Sequence, residues 1–159
     1  MRRNDRAVTE STQIKTILDA CRTCHLAMVD RGSELPYVIP LSYAYSLTDE
    51  TLTLFFHSAY EGRKIEILRN NDKVCFAISS EGEAFFSEEL PCNSGYHYSS
   101  VHGFGRVQFV EDITEKCLAL ALIMKHQANY CVEITPAQAK SVCIFKVTST
   151  SFTGKMNTH

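Results

Sequence analysis

The stretch FFHSAYEGRK, Phe55 to Lys64, decides how this chain is read. Thr51 and Thr53 alternate with Leu52 and Leu54 ahead of the phenylalanine pair, which predicts a strand over 51–57. The polar His57-Ser58 step ends it, and Gly62 marks a turn. A short helix is expected over 61–69, with Ile65 and Leu68 as its inward pair. Arg63 and Lys64 then fall in the first helical turn, where cations are unfavourable against the helix dipole. The free N–H groups of that turn attract anions. A guanidinium forms forked bonds to phosphate oxygens, and an ammonium adds a compact charge. A bound phosphate makes sense of the pair, with Ser58 as a further donor; the plainer alternative is a solvated charged turn. His57 stands beside this candidate, either facing a substrate or simply ending a strand.

Upstream, Ile14, Ile17, Leu18 and Cys21 recur at helical spacing, so a helix is expected over 9–23, capped by Thr9 or Ser11. HLAMVD reads as a strand over 25–30. PYVIPLSYAY, 36–45, is extended, and its prolines place it at an edge or a bulge. LTDET, 47–51, is a turn. Downstream, KVCFAIS, 73–79, is nearly continuous in apolar character and predicts a strand buried on both faces, with Cys75 in the core. Residues 80–95 are polar and irregular. The segment 96–110 is extended, and Gly103 and Gly105 suggest close approach of another backbone. Asp112 to Glu115 has the spacing of a capping box, opening a helix to about His126 whose expected core face carries Leu118 and Leu122. SVCIFKVTS, 141–149, is the last strong strand, placing Cys143 in the core, and SFTGK extends it. Short-spaced strands joined by tight turns point to an antiparallel barrel with helices outside. There is no GxGxxG and no βα alternation, which argues against a dinucleotide-binding fold.

The chain has 159 residues, enough for one domain with a real core. A net charge of −2 argues against nucleic-acid binding. No apolar run reaches membrane-span length, and the start MRRNDRAVTE has no apolar segment behind its arginines, so a cytoplasmic protein is expected. Seven irregularly spaced cysteines fit reduced thiols.

Two other clusters invite a cofactor. CRTCH, Cys21 to His25, matches the haem-attachment spacing, but Cys21 lies on the apolar helix face and a second zinc-type Cys pair is lacking. Cys92, His97 and His102 fall close in sequence but match no structural metal spacing. Neither is expected to bind metal or haem.

Taken in order, MRRNDR, LPYVIPLSYAY, FFHSAYEGRKIEILRNNDKVCF, YSSVHGFGRV and VEDITEKCLALALIM resemble the nitroimidazole-resistance (Nim-type) proteins. These belong to the pyridoxamine 5′-phosphate oxidase-like, FMN-binding split-barrel superfamily. The resemblance implies one domain over 1–159, mainly β with flanking helices: a six-stranded antiparallel split β-barrel. It implies a homodimer with FMN in the cleft between subunits. Arg63 and Lys64, beyond the turn at Gly62, match the basic pair that holds the FMN phosphate, with Ser58 as hydroxyl donor. His57 matches a position beside the flavin and the substrate. Val38, Ile39, Pro40, Leu41 and Ser42 match the strand that passes along the isoalloxazine ring. Ser99 and Ser100 match the segment that reaches FMN from the partner subunit. Pyridoxamine phosphate oxidases carry an Arg-Gln step where this chain has Ser99-Ser100, and their C-terminal substrate segment is not apparent here. The implied activity is therefore FMN-dependent reduction of a small electron-poor, nitroaromatic-like substrate, with electrons from a reduced nicotinamide or another donor. The alternatives are a non-enzymatic flavin-binding module, a vitamin B6 oxidase and a haem-binding split barrel.

Overall fold

The computed structural model describes residues 4–48, 50–80 and 82–157. The expected turn at 47–51 includes residue 49, and the start MRRNDR includes residues 1–3; these positions lie outside the described residues. The elements are β1 (Ala7–Val8), α1 (Ser11–Ala20), β2 (Thr23–Val29), β3 (Pro36–Ser42), β4 (Ala44–Leu47), β5 (Leu52–Ser58), α2 (Arg63–Asn70) and β6 (Lys73–Ser79). There follow β7 (Ala84–Phe85), β8 (Gly95–Tyr96), β9 (Tyr98–Val110), α3 (Ile113–Ala128), α4 (Pro136–Ala139) and β10 (Cys143–Asn157).

The main sheet is antiparallel and runs β3-β2-β6-β9-β10-β5-β4, with β1 added to β10. Its two outer strands, β3 and β4, are halves of one segment that bends at Tyr43. The first half pairs with β2 and the second with β5, so a single chain segment joins both sheet edges and closes the barrel. Among the described residues the main sheet has eight strands where six were expected, because β3 and β4 are halves of one segment, each paired on its own, and the two-residue β1 adds to β10. The prolines of β3 lie at the edge, as their missing N–H groups require. The segment 80–95 is less irregular than its composition suggests, since β7 and β8 pair as a small separate sheet.

The barrel interior holds Leu26, Leu54, Phe56, Phe76, Val101 and Phe145, with Phe56 stacked on Phe145 at 5.1 Å between centroids. Helix α1 packs Ile14, Ile17 and Leu18 inward, as its spacing predicts. Its start differs: Glu10 takes the cap position with extended backbone, and no side chain caps the helix, neither Thr9 nor Ser11. Strand β6 has one buried face, not two. Val74, Phe76 and Ile78 point inward, Ala77 is exposed and Cys75 is half-buried. Its apolar run is continuous because a thiol and a methyl occupy outward positions. Cys143 is buried as expected.

Helix α3 is rotated from expectation. Asp112 caps it by accepting the Glu115 N–H at 2.8 Å, but the buried positions are Lys116, Ala119 and Ile123. Leu118 is 61% exposed and Leu122 39%. The helix is apolar almost all round, so periodicity does not choose its face. The half-buried Lys146–Glu115 ion pair at 2.6 Å pins its first turn to β10.

Gly103 in β9 faces the crossing of two neighbours. A Cβ there would meet Phe76 Cζ at 2.5 Å and the Ser151 carbonyl oxygen at 2.8 Å. Gly103→Ala is expected to lower unfolding free energy by about 1–3 kcal/mol through overpacking, read as a lower midpoint in denaturant titration. The end of α3 makes a second test. His126 Nε2 lies 3.0 Å from the Cys21 carbonyl, which requires a protonated Nε2. Burial, and then the Arg22 charge, hold His126 below the ordinary value of 6.5. The unfolded chain therefore takes up this proton first as pH falls. The stabilisation is complete above about 6.5 and is lost as pH drops below it. His126→Gln is expected to flatten that acid limb in unfolding titrations between about pH 7.5 and 5.

Candidate phosphate-binding site

The turn between β5 and α2 gathers the residues that the local sequence singles out. Strand β5 ends at Ser58, and Arg63 and Lys64 open α2. Gly62 occupies the cap position with φ at 119°, a backbone that side chains rarely adopt, although open space surrounds its missing Cβ. No side chain caps the helix, so its first N–H groups stay available to an external acceptor.

Ser58 is 7% exposed, and its hydroxyl is buried with no hydrogen-bond partner. A buried hydroxyl without a partner costs free energy. Arg63 and Lys64 make no ion pair with any described residue. The Arg63 guanidinium lies 4.7 Å from the centroid of the Tyr37 ring, which holds it between α2 and the start of β3.

Lys116 of α3 joins this cluster and is not legible from the sequence. It is 7% exposed, and its Nζ donates to the Tyr60 hydroxyl at 3.3 Å. Tyr60 in turn donates to the Lys140 carbonyl at 3.0 Å. Lys116 has no carboxylate partner among the described residues. Cys143 lies opposite Ser58 in β10. Burial pushes the Cys143 thiol up and the Glu111 charge adds to it, while the charges of Lys116, Arg69 and Lys64 act against that shift. The donor set of one orphan hydroxyl, uncapped N–H groups and several cations without carboxylate partners fits a phosphate group.

The remaining expected residues divide. His57 is exposed at the end of β5, opposite Ile144. In β3, Val38, Pro40 and Ser42 face outward, while Ile39 and Leu41 pack on the core, so the five side chains do not share one face. Ser99 and Ser100 sit elsewhere. Ser58 lies opposite Cys143 at one end of β10, whereas Ser100 and Ser99 lie opposite Lys155 and Met156 at the other. At about 3.3 Å per residue that is up to roughly 40 Å along the strand. One chain does not bring the two serines to the phosphate cluster. Ser99 Oγ is tied to Ser80 Oγ at 3.0 Å.

The other clusters do not converge. Cys24 is fully buried and its thiol is pushed up to about 12, mainly by burial. His25 faces outward, opposite Pro40. His97 rests on Phe85 at 4.7 Å, Cys92 is exposed, and His102 Nε2 contacts Cys75 Sγ at 3.2 Å. Among the described residues no group of three acidic, His or Cys side chains is placed to hold a metal ion. No described helix is long and apolar enough to cross a membrane.

Among solved structures, the chain is similar to a candidate 5-nitroimidazole antibiotic resistance protein from Bacteroides thetaiotaomicron. The TM-score is 0.80 at 29% identity, covering 94% of this chain and 86% of that one. It shares its fold with the flavocytochrome Anf3 of Azotobacter vinelandii (TM-score 0.78, 17% identity, 100% of this chain and 72% of that one). The same holds for a FAD-binding protein of Mesorhizobium loti (TM-score 0.65, 24% identity, 96% and 98%). No curated protein sequence matches. The family model for pyridoxamine 5′-phosphate oxidase matches residues 10–156, nearly the whole split barrel, and the chain belongs to that family.

Proposed function

We propose that the chain is a flavoprotein that holds FMN by its 5′-phosphate at the β5–α2 turn and reduces a small electron-poor substrate. The observation that carries this reading is the buried, unpartnered Ser58 hydroxyl at the end of β5, followed by an uncapped helix start that opens with Arg63 and Lys64, neither of which makes an ion pair among the described residues. The flavin and FAD proteins among its structural relatives support it at the level of the fold.

Arg63 and Lys64 bind the phosphate oxygens, and Ser58 donates its hydroxyl hydrogen to the same group. Lys116 supplies a further charge from below, with its ammonium steadied by Tyr60. Tyr37 keeps the Arg63 guanidinium at the mouth of the site. Val38, Ile39, Pro40, Leu41 and Ser42 border the ring system, the inward pair fixing the strand and the outward three offering contacts. When bound, FMN supplies the redox chemistry, taking electrons from a reduced nicotinamide or another donor and passing them to the substrate. His57 faces the substrate and delivers a proton to it. Ser99 and Ser100 complete the site from a second copy of the chain, because their own chain holds them at the far end of β10.

The phosphate assignment is tested by comparing FMN with riboflavin. Each charge-assisted bond contributes about 1.5–3 kcal/mol, so Arg63→Ala with Lys64→Ala is expected to weaken FMN about 10²–10⁴-fold. Riboflavin affinity should stay unchanged. Equal losses for both flavins would remove the phosphate from this turn. Lys116→Met should show the same selectivity, with a smaller loss. For the reaction, His57→Ala is expected to cut turnover of a nitroaromatic probe by roughly 10²-fold or more while FMN remains bound. Stoichiometric FMN with no turnover by the parent chain, across nicotinamide and dithionite donors, would leave a flavin carrier rather than an enzyme.

A further inference from the structure

A groove of about 750 Å³ lies between α1, β4 and the last turns of α3, and it includes none of the phosphate-cluster residues. Strand pairing sets its place. Tyr45 and Leu47 lie opposite Leu54 and Leu52, whereas the phosphate cluster begins beyond Ser58, at the other end of β5.

The lining is unbalanced in charge. Among the described residues, Lys15, Arg22 and Lys125 face a single carboxylate, Asp19. That carboxylate is already engaged. Lys15 Nζ donates to one of its oxygens at 2.6 Å, and the Tyr45 hydroxyl donates to the other. Among the described residues, Arg22 Nη1 donates only to the neutral carbonyls of Asp19 and Cys21, at 2.6 and 3.0 Å, and meets no carboxylate. Lys125 is exposed and makes no hydrogen bond or ion pair among the described residues. The walls are aromatic and apolar. The Tyr45 and His126 rings meet edge to face at 5.6 Å and 88°, and Leu47 and Leu122 add aliphatic surface. Burial keeps the His126 imidazole from being a fourth cation near neutral pH.

We infer that this groove is a second ligand site, separate from the phosphate turn, that takes a planar aromatic carboxylate. Its volume is that of small-ligand sites, apolar walls with a few placed polar groups being their usual construction. The ring system lies against Tyr45, His126 and Leu122, and the carboxylate meets Lys125 and the free donors of Arg22. The site also gives a role to the Arg of the CRTCH segment, whose cysteines are committed to the core.

The test is a titration of the full chain with 2-naphthoate, followed residue by residue in ¹H–¹⁵N spectra. Saturable shifts are expected in α1, β4 and the end of α3. Lys125→Glu should weaken binding at least roughly tenfold and Lys125→Arg should retain it. The uncharged 2-naphthalenemethanol should bind at least roughly tenfold more weakly. The Arg63→Ala, Lys64→Ala double variant should bind 2-naphthoate like the parent, whatever becomes of its flavin affinity. The inference is overturned by the absence of saturation up to about 10 mM, or by equal binding of acid and alcohol. Indifference to Lys125→Glu also overturns it, as does loss in the double variant, which would put the probe in the phosphate turn. Should Lys125→Glu disturb the spectrum as a whole, Lys125→Gln carries the same comparison.

Discussion

The bend at Tyr43 is where the barrel closes, and both candidate sites hang from it. Tyr43 is fully buried, and its hydroxyl donates to the Leu18 carbonyl at 2.8 Å. Its own carbonyl accepts from Gln127 Nε2 at 2.7 Å. One residue thus ties the closing strand to α1 and to α3. Burial raises the phenol well above its ordinary value, so it stays a hydrogen-bond donor at any working pH. Before the bend, Tyr37 reaches Arg63 at the phosphate turn. After it, Ala44, Tyr45 and Leu47 form the floor of the second groove. A change in the angle at Tyr43 would move both ends of the segment at once.

Electrostatics single out the β5–α2 turn as a candidate phosphate site. Arg63 and Lys64 oppose the α2 dipole, and Lys116 is buried without a carboxylate among the described residues. Each arrangement is unfavourable in the chain alone, and so is the unpartnered Ser58 hydroxyl. These costs share one remedy, a dianionic group at the turn. Affinity for such a ligand would then also appear as stability of the loaded fold, since a ligand that binds only the folded state stabilises it. The charge in the second groove is placed differently. Its cations are near the surface and partly solvated, which suits a weaker, exchangeable ligand.

Much of this was legible in the sequence where the signal is local. The strand, turn and helix of FFHSAYEGRK follow from alternation, one glycine and a short apolar period, and the structure shifts them by one or two residues. The barrel could be inferred from short strand spacing, and the edge position of β3 from its prolines. Residues chosen by tertiary packing were not legible. Lys116 reads as an ordinary surface lysine, because nothing in a helical sequence marks a cation that the sheet will bury. Leu118 and Leu122 read as core because α3 is apolar on most sides; the face that packs is that of Lys116, Ala119 and Ile123, with Ala119 against Val110 and Ile144. Cys75 and Ala77 misled in the same way, since small outward side chains make a one-faced strand look buried on both faces. Periodicity does not single out Val38 to Ser42, Ser99 or Ser100; only the family resemblance points to them.

Strand length supplies the last link between fold and proposed function. The β9–β10 ladder runs the height of the barrel, with the phosphate cluster at the Cys143 end and Ser99 and Ser100 at the Met156 end. A site needing both ends cannot form within one rigid barrel. In the proposed reading, a second copy related by a two-fold axis would bring each chain's serine end to the other's candidate phosphate end, making two equal sites at once. The outward face of the sheet suits such an approach. Ala27, Cys75 and Ala77 are small residues at its centre, flanked by Val38 at 52% exposure and Phe104 at 58%. Small residues between larger apolar ones let two sheets approach closely and still bury area. On this view the length of β10 is a functional dimension, because shortening it would bring Ser99 and Ser100 toward their own chain's turn and away from the partner's.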